Sequence, residues 1–354
     1  MKIAIVFHKN PFAQPASIDL IRLRAISSGL IGKDVEVEII APVEKEGLIN
    51  GVVPVCNLSS MKSGRYDLVK TCYHFSIDLI AGYEGPVVSR IVRVVDGLLP
   101  ERDEPMRGQL LRCQTLIRER ASCVIVNNAE NRERWHALYG PAPPVVCVPT
   151  GCPSMIPLPE KNPFCPHEKV ILFLGSLAAP RMIPVINEIS RRFEGVARIH
   201  FIGSDKSYLY SRKEQHALSP LVVQHGSLSE DEIWDYVFHA SMGLAIATGP
   251  YLFDNDMSKI FSYLRGGLPV LSEEPIVNNT LVRETGLGLT FKYDDMEDLT
   301  EKAWSLLQNP PSDKREAAMA FMAHKHSWEQ RVDTYVKLFH ALAEKMPVPD
   351  ELLL

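Results

Sequence analysis

The stretch that decides the fold runs from Asp254 to Val270 and reads DNDMSKIFSYLRGGLPV. It predicts a helix that begins near Ser258 and carries Lys259 in its first turn. A lysine there opposes the helix dipole unless an anion binds at the same helix end, where backbone N–H groups are free, and a phosphate group fits this position. The glycine pair at 266 and 267 predicts the end of the helix, and a buried strand follows from Pro269.

The length and composition of the chain are typical of a globular protein with more than one domain. Its 354 residues exceed the usual size of a single hydrophobic core. Apolar residues make up 46% of the chain and charged residues 23%, which are ordinary values. The net charge of -5, without a basic stripe, argues against nucleic acid as a partner.

The sequence gives no signal for export or membrane insertion. Its first apolar run, residues 2–7, is too short for the core of a signal peptide and is predicted as a strand. No stretch approaches the roughly 20 apolar residues that span a bilayer. The seven cysteines suit a reducing compartment, and Cys147, Cys152 and Cys165 lack the spacing of a metal site. We therefore expect a cytoplasmic protein without a bound metal, with peripheral membrane contact left open.

Apolar strand-like runs alternate with helical stretches from end to end, and this alternation predicts parallel sheets covered by helices on both faces. A proline-rich segment at 149–167 predicts a linker, because it can form neither a helix nor a central strand. The fold class is therefore α/β, with two doubly wound parallel sheets. The predicted strands are 2–7, 35–41, 67–72, 86–95, 123–127, 145–148, 169–174, 198–202, 222–224, 243–247, 269–271 and 287–291.

The predicted domains are residues 1–160 and 161–326, after which the chain returns to the first domain. Ser327 begins a capping-box pattern, and apolar residues then recur at helical spacing from Trp328 to Leu342. So wide an apolar face must pack on a large surface, and the second domain already has its own covering helices. We therefore predict that 327–354 packs on the first domain.

Two turns in the second half predict a ligand site. One apolar strand runs into Gly175 and Ser176, and another runs into Gly226 and Ser227. Both turns reach the carboxyl edge of a parallel sheet, where open α/β sheets bind ligands and where glycine lets a ligand approach the backbone. Arg181 follows in the first turn of the next predicted helix, where it opposes the helix dipole as the lysine at 259 does.

In their order along the chain, these pieces resemble the nucleotide-sugar-binding domain of GT-B glycosyltransferases, particularly glycosyltransferase family 4 (group 1). The resemblance implies two Rossmann-like domains that face a cleft, an acceptor held against the first, and a nucleotide diphosphate sugar donor held by the second. It implies no cofactor. The matching pieces are 124–130, 139–140, 148–151, 172–177, 225–228, Lys259 with 263–264 and 267–270, and 327–329.

The resemblance also implies roles for single residues. Arg181 matches a family lysine that grips the donor diphosphate, whereas Ser176 stands where the family usually has arginine. Lys259 matches a basic residue that many relatives carry, and it can supply the missing charge. The family's two glutamates, eight residues apart, fall on Asp254 and Ser262, so the carboxylate that holds the donor ribose is absent. Retention of anomeric configuration and independence of metal are further implications.

The remaining candidate site residues lie close to these positions or in the first half. Asp256 and Ser258 are candidate donor contacts beside Lys259, and a carboxylate there would contact sugar hydroxyls, because phosphate would repel it. Asp96 follows a predicted strand of the first domain and is a candidate polar group at the cleft. Asp96, Arg181 and Lys259 together form the candidate catalytic set.

Two alternatives to a transferase remain. A catalytically silent relative, acting as a binding or regulatory subunit, is favoured by Ser176, Ser262 and Val95, which stand where the family has functional residues. A nucleotide-sugar epimerase of the same architecture needs several acidic and histidine residues that the sequence does not place in the cleft. The acceptor is left open among a glycan, a lipid-linked molecule and a small molecule, and the oligomeric state is not specified.

Overall fold

The computed structural model describes residues 1–14, 17–62, 64–96, 101–177, 179, 181–206, 217–250 and 253–353, without the side chains of 101–103. The chain divides into two compact units. The first consists of Met1–Leu99, Asp103–Gly151 and Trp328–Leu354, and the second contains Cys152–Ser327. The chain passes from the first unit to the second after Gly151, whereas the sequence-based boundary lies at residue 160.

The first unit is built on a sheet with eight strands among the described residues, and every neighbouring pair is parallel except β3 and β4. The strand order is β3-β4-β2-β1-β5-β6-β7-β8, so the switch point lies between β1 and β5. Its elements are β1 (Lys2–Phe7), α1 (Ile18–Ile31), β2 (Glu36–Ala41), β3 (Gly47–Ile49), β4 (Val53–Asn57), β5 (Leu68–Cys72), β6 (Val87–Arg90), α2 (Arg107–Arg120), β7 (Cys123–Val126), α3 (Ala129–Tyr139) and β8 (Val145–Cys147).

The second unit has a sheet with six parallel strands in the part of the chain that the structure describes. The order is β11-β10-β9-β12-β13-β14, which puts the switch point between β9 and β12. Its elements are β9 (Val170–Leu174), α4 (Met182–Arg192), β10 (Arg198–Ile202), β11 (Val223–Gln224), α5 (Ile233–His239), β12 (Met242–Ala245), α6 (Ser258–Arg265), β13 (Val270–Glu273), α7 (Thr280–Thr285), β14 (Gly288–Phe291), α8 (Met296–Gln308) and α9 (Arg315–Lys325).

The last helix, α10 (Trp328–Ala343), belongs to the core of the first unit. Its buried side chains Val332, Tyr335 and Phe339 pack in one apolar cluster with residues of α1, β1 and β2. Helix α10 lies directly against α1. This arrangement accounts for the wide apolar face that the sequence of the helix carries.

The predicted α/β class is confirmed, and each predicted apolar run overlaps a strand. The prediction missed β3 and β4. Pro54, inside β4, counts against a strand in the sequence, but the pairing of β4 with β2 begins only at Val55, after the proline. The run at 86–95 is longer than its strand, which ends at Arg90. None of the described helices is long and apolar enough to cross a membrane.

Candidate functional site

Tyr263 ties helix α6 to the end of strand β9. Its side chain is fully buried, and its hydroxyl accepts a hydrogen bond of 2.8 Å from the Leu174 N–H and donates one of 3.0 Å to the Leu172 carbonyl. Leu174 is the last residue of β9, directly before the predicted glycine turn. Helix α6 and this glycine turn are therefore held side by side.

Three glycines bring the ends of neighbouring strands together at the carboxyl edge of the second sheet. Gly175 follows β9 with a φ of +101°, and Gly203 follows β10 with a φ of +148°. A Cβ added to Gly203 would lie 1.9 Å from the carbonyl oxygen of Gly175, and the Gly203 N–H donates to the Gly226 carbonyl at 2.7 Å. The sequence-based prediction missed Gly203, although a glycine directly after the 198–202 strand was a usable signal.

Lys259 lies beneath the Gly175 turn, in the first turn of α6. A Cβ added to Gly175 would lie 3.7 Å from Cε of Lys259, and the Lys259 Nζ is 3.6 Å from the centroid of the Phe173 ring. Among the described residues, this half-buried ammonium has no carboxylate or hydrogen-bond acceptor. Burial lowers its pKa from 10.5 to about 7. The helix start thus carries a cation without a counter-ion in the described part of the chain.

The start of α6 is fixed by an asparagine that sequence reasoning also missed. Asn278 accepts a hydrogen bond from the Met257 N–H at 2.9 Å and donates one to the Met257 carbonyl at 3.1 Å. Met257 occupies the N-cap position, and its own side chain makes no capping hydrogen bond. Met257 therefore provides no side-chain cap for the first N–H groups of α6, although the Ile260 N–H donates to the Met257 carbonyl at 3.1 Å.

Arg181, the second predicted cation, has a very different environment. Its guanidinium forms a two-point ion pair with Glu273, at 2.9 and 2.7 Å, and also contacts Asp294. It donates a further hydrogen bond to the Ala247 carbonyl at 2.5 Å. Burial by itself would lower the pKa of Arg181. The hydrogen bonds and the charge of Glu273 outweigh this effect, so the pKa is raised overall. Arg181 is thus neutralised by a buried glutamate, and its role in diphosphate binding stays a prediction.

The other predicted donor contacts differ in exposure. Asp254 is buried, the predicted contacts at 256, 258 and 262 are half-buried, and Gly226 and Ser227 are exposed. Ser176 is half-buried, and its Oγ lies 3.2 Å from the Oγ of Ser204. No set of three metal-ligating side chains occurs among the described residues.

Asp96 belongs to the first unit and is exposed. It forms an ion pair with Arg134 of α3 at 3.2 Å. It lies beyond the end of β6 at Arg90, rather than directly after a strand as predicted. Its catalytic role stays a prediction.

A pair of histidines lies beside the Gly226 turn. Nδ1 of His200 is 2.9 Å from Nε2 of His225, and the two rings stack with their centroids 5.1 Å apart. Burial lowers the pKa of both imidazoles. The contact between the two rings holds the end of β10 against the turn after β11.

No protein-family model and no curated protein sequence matches the chain. Solved structures match it along nearly its whole length. Sucrose-phosphate synthase from Thermosynechococcus elongatus is 13% identical with a TM-score of 0.77, covering 97% of this chain and 99% of that chain. HepE from Anabaena, in complex with UDP-glucose, is 13% identical with a TM-score of 0.73, covering 97% and 100%. WaaG, a glycosyltransferase involved in lipopolysaccharide biosynthesis, is 13% identical with a TM-score of 0.62, covering 97% and 98%.

These proteins share the GT-B architecture of two parallel-sheet domains, and this chain has that fold. The predicted resemblance is confirmed at the level of the fold. Assignment to family 4 in particular stays a prediction.

Proposed function

We propose that this protein is a glycosyltransferase that moves a sugar from a nucleoside diphosphate sugar to an acceptor. The observation that carries the proposal is the desolvated ammonium of Lys259, which lies at a helix start and beside a glycine turn at the sheet switch point. A cation without a partner is costly in such a place, and a diphosphate would offset it. HepE, which shares the fold, has been crystallised with UDP-glucose and with UDP.

The chemistry asked of this site is the stabilisation of a leaving diphosphate. The bond between the anomeric carbon and the diphosphate oxygen breaks, the acceptor oxygen bonds to that carbon, and the acceptor proton passes to the leaving diphosphate. Lys259 and the first N–H groups of α6 then act on the charge that develops on the diphosphate. The ammonium supplies the positive charge that a metal ion would otherwise provide, so the proposed reaction uses no metal. We also expect retention of anomeric configuration.

Arg181 has a supporting role in this proposal. Because Glu273 already neutralises its guanidinium, Arg181 holds the ends of β12 and β13 in place more than it binds phosphate. The predicted contacts at 176, 226, 227, 254, 256, 258 and 262 are proposed to line the donor around Lys259. We expect Lys259 to matter more for donor affinity than Arg181 does.

Nucleoside diphosphate binding tests the proposal. A screen for thermal stabilisation first identifies the preferred base, since a ligand that binds only the folded state raises its stability. Lys259→Met should then weaken binding about 10- to 100-fold, because a hydrogen bond to a charged group is worth roughly 1.5–3 kcal/mol. Lys292→Met, which removes an exposed lysine of the same unit, is the control and should bind normally. Equal affinities for both variants in calorimetry would remove Lys259 from the donor site.

A catalytically silent relative is the second candidate, and the engagement of Arg181 by Glu273 favours it. Slow hydrolysis of the matching nucleotide sugar separates the two, because water can replace an unknown acceptor. Hydrolysis supports the transferase, whereas tight diphosphate binding without hydrolysis of any common donor supports the silent relative. Asp96→Asn keeps the volume of the side chain, and loss of turnover with unchanged donor binding would support a catalytic role for Asp96.

A further inference from the structure

A cavity of about 20 Å³ lies in the first unit at the carboxyl ends of β1 and β5. This is the switch point of the first sheet, the position at which open α/β sheets bind ligands. Its volume is room for about one water-sized group. Its polar lining comes from α1, from β5 with the turn after it, and from β6, and consists of Asp19, Arg22, Lys70, Tyr73 and Arg90.

The cavity has more cations than carboxylates. Arg22 forms an ion pair with Asp19 at 3.3 Å. Lys70 and Arg90 are each 3% exposed, and neither has an ion pair in the described part of the chain. The Lys70 ammonium donates to the Sγ of Cys72 at 3.0 Å, which is a weak acceptor, and lies 5.4 Å from the centroid of the Tyr335 ring. The Arg90 guanidinium donates one hydrogen bond through Nη2 to the neutral Oδ1 of Asn127, and its Nε is buried without a hydrogen-bond partner.

The side chains of Lys70 and Arg90 line the same cavity. Arg90 pairs with Cys72 in the register of β5 and β6, so its side chain lies on the face of the sheet that Lys70 also occupies. Two desolvated like charges on neighbouring strands repel each other, and each has lost its hydration. Tyr73, at the edge of the cavity, has a φ of +76°, a backbone strain that proteins keep mainly at ligand sites.

We propose that this cavity binds the charged group of a small oxyanion, a phosphate or a carboxylate, with one anionic oxygen between Lys70 and Arg90. The Lys70 ammonium and the buried Nε of Arg90 then donate charge-assisted hydrogen bonds to an anion, which no described carboxylate provides. The site lies in the first unit and involves none of the residues around Lys259, so it goes beyond the proposed donor site. The oxyanion comes from one of two sources, a free inorganic ion or the charged group of a larger ligand such as an acceptor.

Calorimetric titration with orthophosphate at constant ionic strength tests the proposal. The full chain carries Lys259→Met in every sample, so that binding at the donor site is weakened and contributes equally to all variants. We expect phosphate to bind, and we expect Lys70→Met or Arg90→Met in this background to weaken binding at least about tenfold, the loss of one charge-assisted hydrogen bond. Lys45→Met removes an exposed lysine of the same unit and should bind as its parent does. Absence of phosphate binding, or equal binding by Lys70→Met and Lys45→Met, overturns the proposal.

Methyl phosphate identifies the source of the oxyanion. Binding as tight as that of orthophosphate supports a site for the charged group of a larger ligand, and binding of orthophosphate alone supports a site for a free ion. If Lys70→Met does not fold, the melting temperature of the Lys259→Met parent tests phosphate binding instead. Phosphate should raise this temperature more than chloride does at equal ionic strength. An equal rise with both salts contradicts the proposal. Nucleoside diphosphate binding by Lys70→Met alone should stay normal, so the two proposed sites can fail independently.

Discussion

At the scale of single residues, the contrast between Lys259 and Arg181 depends on what surrounds each cation. Both are cations near the start of a helix, and both are partly removed from water. Arg181 has two carboxylates within reach, whereas Lys259 faces an aromatic ring and a glycine turn. Only the second arrangement leaves a positive charge that a ligand can neutralise.

The lowered pKa of Lys259 predicts that anion binding depends on pH. Burial holds this pKa at about 7, so above that value the free protein loses the ammonium that the anion needs. Nucleoside diphosphate affinity should fall by up to about tenfold per pH unit between about pH 7.5 and 9.5, until the pKa of the bound state is reached. Calorimetry across this range measures the slope. Lys259→Arg, whose guanidinium stays charged, should remove it, and an equal slope in that variant would assign the titration to another group.

The same shift has the opposite effect on stability. Between about pH 7 and 10 the unfolded chain binds the lysine proton while the folded protein does not, so the contribution of Lys259 to the free energy of unfolding rises with pH. Anion binding and folding therefore respond to pH with opposite signs at this residue.

At the scale of elements, the site depends on glycine turns that bring strand ends into contact. Gly203 should be the least replaceable of them, because a methyl group there would overlap the Gly175 carbonyl. Gly226 also follows a strand, but no atom lies within 4 Å of a Cβ added there. The difference between these positions is the close approach of two backbones.

Gly203→Ala should destabilise the protein by at least about 2 kcal/mol, since it combines a disfavoured φ with a backbone clash. Gly226→Ala is the matched control and should cost only about 1–2 kcal/mol, the price of a left-handed residue without a clash. Urea denaturation of both variants measures the difference. Equal losses would show that the contact between the Gly203 and Gly175 backbones does not constrain the fold.

At the scale of the whole molecule, the chain forms the first unit from its two ends. Helix α10 covers α1, so the first core is incomplete until the last helix has been added. Phe339 is fully buried in this core, whereas Lys337 on the same helix is exposed.

Phe339→Ala should lower the free energy of unfolding by about 3–5 kcal/mol, because it removes a large side chain from a packed core. Lys337→Ala changes the exposed face of the same helix and should stay within about 0.5 kcal/mol of the parent. Urea denaturation followed by tryptophan fluorescence is a suitable measurement, since Trp328 begins this helix. A small effect of Phe339→Ala would mean that α10 contributes little to the core.

The sequence by itself determined the α/β class, the positions of the strands other than β3 and β4, and the first turn of α6, because each depends on local patterns of apolar residues, glycines and helix ends. The apolar run of the central strand β9, VILFL, is continuous and fully buried, as a strand covered on both faces requires. Lys259 could be identified for the same reason, since its position within one short helix is a local property.

Only the tertiary structure decided which predicted cation keeps its charge available and which strands join at each switch point. Glu273, which pairs with Arg181, lies 92 positions further along the chain, and no local sequence pattern predicts that pairing. Lys70 and Arg90 likewise become neighbours only when β5 and β6 pair. Electrostatic partners are set by distances in space, whereas secondary structure is set largely by neighbours in sequence, and the candidate sites depend on the former.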